Sequence, residues 1–158
     1  MRESYFKSVV MVERLHRLFL EVVSAELERM QVRDINSVQC LLLYHIGREQ
    51  VTVGELTGRG YYLGSNVSYN LSKMIKNEYL VHERSDHDRR ISNVRLSEKG
   101  LSLYTKLDEL FKKHEKELGR NGIDSNQLNN LVSLFNSLES FWKSLLAVEV
   151  HRKPDLQL

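Results

Sequence analysis

Apolar residues recur at three- and four-residue intervals through Tyr5, Val9, Val12, Leu15, Phe19, Val22 and Met30, which predicts a long amphipathic helix at the start of the chain. Asn36 stands three residues before Gln39, ahead of the apolar run Cys40 to Ile46, and predicts a capped short helix stopped by Gly47. Thr52 and Glu55 repeat that cap for a second short helix around Val53–Thr57. Gly58, Gly60 and Gly64 then interrupt the chain around Tyr61 and Tyr62, and a third helix is expected from about Asn66 to Asn77. Extended segments Tyr79–Arg84 and Ile91–Leu96 flank the polar loop Ser85–Arg90 and predict a hairpin with a charged tip. Ser97 suits the N-cap of the next helix, with Glu98 favourable in its first turn; that helix carries Leu103, Leu107, Leu110, Phe111 and Leu118 and is expected to end at Gly119 and Gly122.

Asp124 and Gln127 cap a last helix, striped by Leu128, Leu131, Phe135, Leu138, Trp142 and Leu145 and widened by Leu134, Phe141 and Val148. The only proline, Pro154, lies beyond it, so no proline breaks these helices and the fold class is mainly α with a small β-hairpin. The short central helices occupy only the middle of the chain. The long helices at its two ends therefore have little intrachain core to cover, and apolar area left over on a soluble protein favours an interface. The expected organisation is an N-terminal dimerisation helix over 1–33, a central region over 34–100 and C-terminal dimerisation helices over 101–158, assembled as a homodimer.

Composition adds bounds. With 158 residues, 41% of them apolar, and 23 Lys+Arg against 21 Asp+Glu, the chain can build an ordinary core. No apolar run reaches the roughly 18–20 residues of a membrane span, and the N-terminus has no signal-peptide pattern. The single cysteine, Cys40, excludes an intramolecular disulfide framework and a Cys-rich zinc site. A cytoplasmic protein with no membrane partner is expected. The net charge of +2 is not spread evenly: residues 64–96 hold six basic and four acidic residues, and the segments on either side are balanced.

That excess falls on a suggestive geometry. Two short helices, a third helix and a β-hairpin follow the order of a winged helix-turn-helix, in which one helix enters the major groove and the hairpin reaches the flanking backbone or minor groove. In the third helix Val67, Leu71, Met74 and Ile75 share one face and would point to the core. Half a turn away stand Ser65, Asn66, Tyr69, Lys73 and Lys76, small polar groups, an aromatic and two cations, with no acid before Glu78. Many surface helices are rich in Ser, Asn and Lys, so a solvated face is the plainer alternative. A second alternative is a helical interaction or adaptor protein whose winged helix binds another protein; such a protein would not need small polar residues and lysines on an acid-free face.

The hairpin adds a sequence signature. Asp88-Arg89-Arg90-Ile91-Ser92-Asn93-Val94-Arg95-Leu96-Ser97, continued by Glu98-Lys99-Gly100, resembles the wing of the MarR family of transcriptional regulators. Ile35-Asn36-Ser37-Val38-Gln39 is similar to the family's Leu-Thr-x-x-Gln, Thr52 to Leu56 to its Thr-x-x-Glu-Leu, and Val67-Ser68 to the pair that opens its recognition helix. The resemblance runs from about Ile35 to Gly100. It implies a homodimeric regulator that binds double-stranded DNA at a pseudo-palindromic operator, commonly a repressor released by a small ligand. The DNA-binding residues it implies are Ser65, Asn66, Ser68, Tyr69, Lys73 and Lys76 of the helix and Asp88, Arg89 and Arg90 of the wing. Asp88 can hold the Arg90 guanidinium or cap the turn, and an arginine preset in this way is favoured in a narrow minor groove.

The chain departs from the family where Gly58, Gly60, Tyr61, Tyr62 and Gly64 replace a helix end and a Ser-Pro-type start. The aromatic pair either packs the turn or, with His16 and Phe19, lines a site for a small aromatic effector such as an acid or phenol. The glycine spacing is not a dinucleotide fingerprint. Cys40 lies in an apolar run with no adjacent cation to lower its pKa and reads as a structural core thiol. The histidines His16, His45, His82, His87, His114 and His151 show no zinc-ligand spacing. No nucleophile elbow, phosphate loop or paired-carboxylate arrangement is present, so neither catalysis nor a cofactor is expected.

Overall fold

The computed structural model describes residues 1–58, 64–84 and 92–150, with the backbone alone at 64, 65, 84, 92 and 148–150. Among the described residues six helices and three strands follow in the order α1 (Arg2–Arg29), α2 (Ser37–Ile46), β1 (Val51–Thr52), α3 (Val53–Gly58), α4 (Gly64–Lys76), β2 (Leu80–Arg84), β3 (Ser92–Leu96), α5 (Glu98–Arg120) and α6 (Ser125–Val150). The fold is a mainly helical winged helix. No helix among the described residues is long and apolar enough to cross a membrane. The chain divides into two compact units, the first ending at Glu109 and the second beginning at Leu110.

In the first unit the core forms around α2. Its Gln39 to Leu43 and Ile46 are buried, as expected of a helix apolar on nearly every side. Val23 and Leu27 of α1, Leu56 of α3, Val67, Leu71 and Met74 of α4, Val94 and Leu96 of β3, and Leu103 and Leu107 of α5 close over it. Cys40 is buried among them and its thiol is pushed up to about 12 by burial, in keeping with a core role. Each short helix is started by its own side chains. The Asn36 carboxamide accepts from Gln39 N and the Gln39 carboxamide from Asn36 N; Thr52 and Glu55 do the same for α3.

The sheet has three antiparallel strands in the order β1-β3-β2, so the expected hairpin gains a third strand. Leu80 pairs with Leu96 and His82 with Val94, which puts Leu80, Val94 and Leu96 on the face that meets the helices. On the other face Arg95 reaches diagonally to Glu83 at 2.8 Å. β1 adds Val51 opposite Val94.

Three helices end in the same way. Tyr79 N–H donates to Met74 O and Glu78 N–H to Ile75 O beyond α4, with Glu78 left-handed at φ 63°. Gln31, at φ 58°, serves α1, and Gly122, at φ 83°, serves α5. Gly119 does not end α5 as the sequence suggested; it lies inside the helix, because the left-handed residue that satisfies the last carbonyls is Gly122.

In the second unit α6 starts from a reciprocal Asp124–Gln127 cap. Its Leu128, Leu131, Leu134, Phe135, Phe141 and Leu145 are exposed in the single chain, and Leu138 and Trp142 are half-buried. The same holds along α1, where Tyr5, Leu15, Phe19 and Val22 are exposed and Val9, Val12 and Met30 half-buried. The two buried residues of α1, Val23 and Leu27, were not singled out from the sequence but continue the face of Tyr5, Val9, Val12 and Met30 in the C-terminal half of the helix.

Candidate nucleic-acid interface

α4 is amphipathic in the required sense. Val67, Leu71 and Met74 are buried against the core and Ile75 is half-buried. Asn66, Ser68, Tyr69, Ser72, Lys73 and Lys76 are exposed, Tyr69 to 62%. Ser65 lies in the first turn of the helix. The Lys73 ammonium sits 5.8 Å from the centre of the Tyr69 ring, so one open face carries an aromatic hydroxyl, small hydroxyl and amide groups, and two cations. No Asp or Glu occurs between Gly64 and Asn77, which leaves that face positive. Ser72, not singled out from the sequence, joins the face; its hydroxyl donates to Ser68 O.

The base of the wing is tied down by a polar cluster that the sequence did not announce. Lys99 Nζ donates to Asp34 Oδ2 at 2.6 Å and to Asn77 O at 2.9 Å, and the Tyr79 hydroxyl donates to Asp34 Oδ1 at 2.6 Å. Asn77 Nδ2 donates to Asp34 O, and Lys99 Nζ lies 4.2 Å from the Tyr79 ring centre. Burial works against ionisation of Asp34, but the bonds from Lys99 and Tyr79 and the Lys99 charge outweigh it and hold the carboxyl below its usual range. The same carboxylate raises the Tyr79 phenol, after burial as the larger cause. Ser97 accepts from Gly100 N at 3.0 Å as the N-cap of α5 and donates to Glu78 O at 2.6 Å. The run from Ser97 to Gly100 is thus a joint linking the ends of α4 and β3 to the α1–α2 loop.

The other residues singled out from the sequence are placed as follows. Asp88, Arg89 and Arg90 of the wing tip, and Tyr61 and Tyr62, lie outside the described residues. His16 and Phe19 are exposed on α1. Among the described residues, a groove of about 750 Å³ beside α4 is lined by Ser68, Leu71, Ser72, Ile75, His82 and Val94 and one of about 260 Å³ lies at the α1–α2 corner; neither His16 nor Phe19 lines either. Among the described residues no cluster of three or more His, Cys, Asp or Glu could hold a metal ion. Sequence reasoning missed Asn70, which is buried in α4 and bonded to Gln39 of α2. The visible signal was an Asn at a position where the helical repeat asks for an apolar residue.

Comparison with known proteins agrees with this geometry. A family profile described as the MarR family matches residues 33–91. The exopolysaccharide II synthesis transcriptional activator ExpG of Rhizobium meliloti is 35% identical over 139 residues, covering 88% of this chain and 72% of that protein. The fold is similar to that of Streptococcus pneumoniae FabT, solved in complex with DNA, with a TM-score of 0.68 at 20% identity over 89% of this chain and 99% of that one. It is equally similar to Staphylococcus aureus MarR, solved with salicylate and kanamycin, with a TM-score of 0.68 at 21% identity over 90% and 93%. On the wing signature, the profile match and the shared identity with ExpG over most of both chains, the protein belongs to the MarR family of transcriptional regulators, which are not enzymes.

Proposed function

We propose that the protein is a homodimeric, sequence-specific DNA-binding repressor that is released from its operator by a small aromatic ligand. The observation that carries the DNA reading is the open face of α4, polar, aromatic and cationic with no acid, on a helix whose opposite face is fixed in the core. Ser65, Asn66, Ser68 and Tyr69 lie in the N-terminal half of the helix, the half that reaches base edges in this class of motif. Lys73 and Lys76 reach phosphates, and Asp88, Arg89 and Arg90 carry the wing toward the flanking minor groove. Residues 34–100 form the DNA-binding region, and 1–33 and 101–158 supply the dimer. The cytoplasm, where the DNA is, is its place of action.

The test is a binding titration on the DNA upstream of the protein's own gene against a scrambled duplex, at two salt concentrations. A retarded complex on the upstream fragment at nanomolar protein is expected, with a much weaker, salt-sensitive complex on the scrambled one. Equal affinity for both sinks the sequence-specific reading. The name of the R. meliloti relative favours a second reading, in which the bound dimer activates transcription. A reporter behind the bound fragment separates them: deleting the regulator raises expression under repression and lowers it under activation.

Release requires a ligand that prefers the geometry unable to bind DNA, since equal affinity for both geometries shifts nothing. Our candidate residues for that ligand are His16, Phe19, Tyr61 and Tyr62, an aromatic set with a few polar tips suited to a phenol or aromatic acid. Thermal-shift screening of phenols and aromatic acids, repeated on Tyr61→Ala and Tyr62→Ala, should lose the hit in both variants. A hit that survives both places the site elsewhere.

A further inference from the structure

We propose that Gln39 and Asn70 are positioning residues for DNA recognition, their buried amide relay setting the rotation of α4 about its own axis. The inference rests on the reading of α4 as the DNA-contacting helix. Among the described residues, Gln39 and Asn70 are the two buried polar side chains, at 7% and 9% exposure. They are bonded to each other, Gln39 Nε2 donating to Asn70 Oδ1 at 3.2 Å across the α2–α4 contact.

The relay has a direction. Asn36 N–H donates to Gln39 Oε1 in the α2 cap, which turns the Gln39 amide so that its NH2 faces α4. Asn70 must then present its carbonyl to Gln39, and its own NH2 donates back to Asn66 O at 2.8 Å, in the first turns of α4. Reversing either amide would set carbonyl against carbonyl or donor against donor. The chain of bonds therefore admits one arrangement, from the cap of α2 to the N-terminal half of α4.

Apolar packing alone would not impose this. Val67, Leu71 and Met74 bury area, a non-directional gain that changes little over a small rotation. Hydrogen bonds are directional and a buried unpaired amide is costly, so the relay penalises the same rotation strongly. On a helix about 5–6 Å in radius, turning by about 20° moves the outward side-chain tips by roughly 2 Å. That displacement breaks a hydrogen bond to a base edge and leaves a lysine within reach of a phosphate. The relay should consequently govern discrimination between sequences and leave general DNA affinity untouched.

The experiment uses the full-length protein and two duplexes: one enriched by the wild type from a randomised library, and a scrambled duplex of the same composition. In Asn70→Leu the Gln39 NH2 is stranded and the melting temperature should fall. In the double variant Gln39→Met/Asn70→Leu both partners are apolar and of similar shape; the α2 cap loses the Gln39 acceptor but no buried amide is stranded, so the melting temperature should recover above that of the single variant. On the enriched duplex the double variant should bind about tenfold or more weakly, the worth of one good base contact, with unchanged affinity for the scrambled duplex. Gln39→Glu keeps the α2 cap acceptor and replaces the donor to Asn70 with a buried carboxylate oxygen that faces the Asn70 carbonyl, so it should shift discrimination the same way and serves if the double variant does not fold. Unchanged discrimination in a folded variant overturns the inference, as does equal weakening on both duplexes. If the wild type enriches no sequence at all, the DNA reading itself fails and the relay has no role to play.

Discussion

At Gly100 a Cβ would sit 2.2 Å from the Tyr79 carbonyl oxygen, closer than any side chain tolerates, so this position in the first turn of α5 can only be glycine. Gly100→Ala should cost roughly 1–3 kcal/mol by forcing α5 away from the wing base, read as a lower urea midpoint. Glu78 has the opposite problem. It holds the left-handed position that ends α4 at φ 63° with an L side chain, and Glu78→Gly should stabilise the protein by roughly 0.5–1 kcal/mol in the same assay. Two substitutions on the open face of α4 separate phosphate from base contacts. Lys73→Ala should weaken binding to all sequences alike and lower the salt slope by about 0.9, and Tyr69→Phe should cost about 1 kcal/mol on the operator and little on random DNA. Equal losses from both on every duplex would contradict the assigned roles. The sequence marked Ser97, Lys99 and Gly100 as a recurring run; only the packed joint shows that each does a different job there.

At the scale of elements, the capped helices were legible because a cap is a local event. Asn36–Gln39, Thr52–Glu55 and Asp124–Gln127 each bond across three residues, and all three form as their spacing predicts. β1 was not legible: its two residues carry no alternation, and they become a strand only because the chain leaving α2 runs beside β3. The cluster around Asp34 was hidden for the same reason, its partners lying 43 to 65 residues away. It has a pH signature. The Asp34 carboxyl is held below its ordinary 3.8, so its contribution is fully present above that value and is lost as pH falls through the lowered one. Comparing urea midpoints of wild type and Asp34→Asn, the gap seen at pH 6 should narrow steadily below pH 4. A gap independent of pH would show that the carboxylate charge does not support the joint.

For the whole molecule, the exposed apolar side chains of α1 and α6 carry the expectation of a dimer. Sedimentation equilibrium at micromolar concentration should show two chains per particle. Phe135→Ala, in the middle of the α6 stripe, should weaken association by about 1–3 kcal/mol with helix content unchanged. A chain cut after Arg120 that stays fully dimeric would move the interface away from α6.

What the sequence determined by itself is whatever rests on neighbours in the chain: the helices and their caps, the hairpin strands, the wing signature, and the division of α4 into an apolar and an open face. Periodicity and capping act within a turn or two, and their outcome does not depend on what the helix meets later. The tertiary structure decided which apolar positions are core, burying Val23 and Leu27 near the C-terminal end of the α1 face and leaving Tyr5, Leu15, Phe19 and Val22 exposed in the single chain. It also brought Asp34 to Lys99 and Tyr79, set Gly100 against the Tyr79 carbonyl, and turned an out-of-place Asn70 into the partner of Gln39. Each of these is a directional contact between residues far apart in the chain, so it exists only once the segments between them have folded into place.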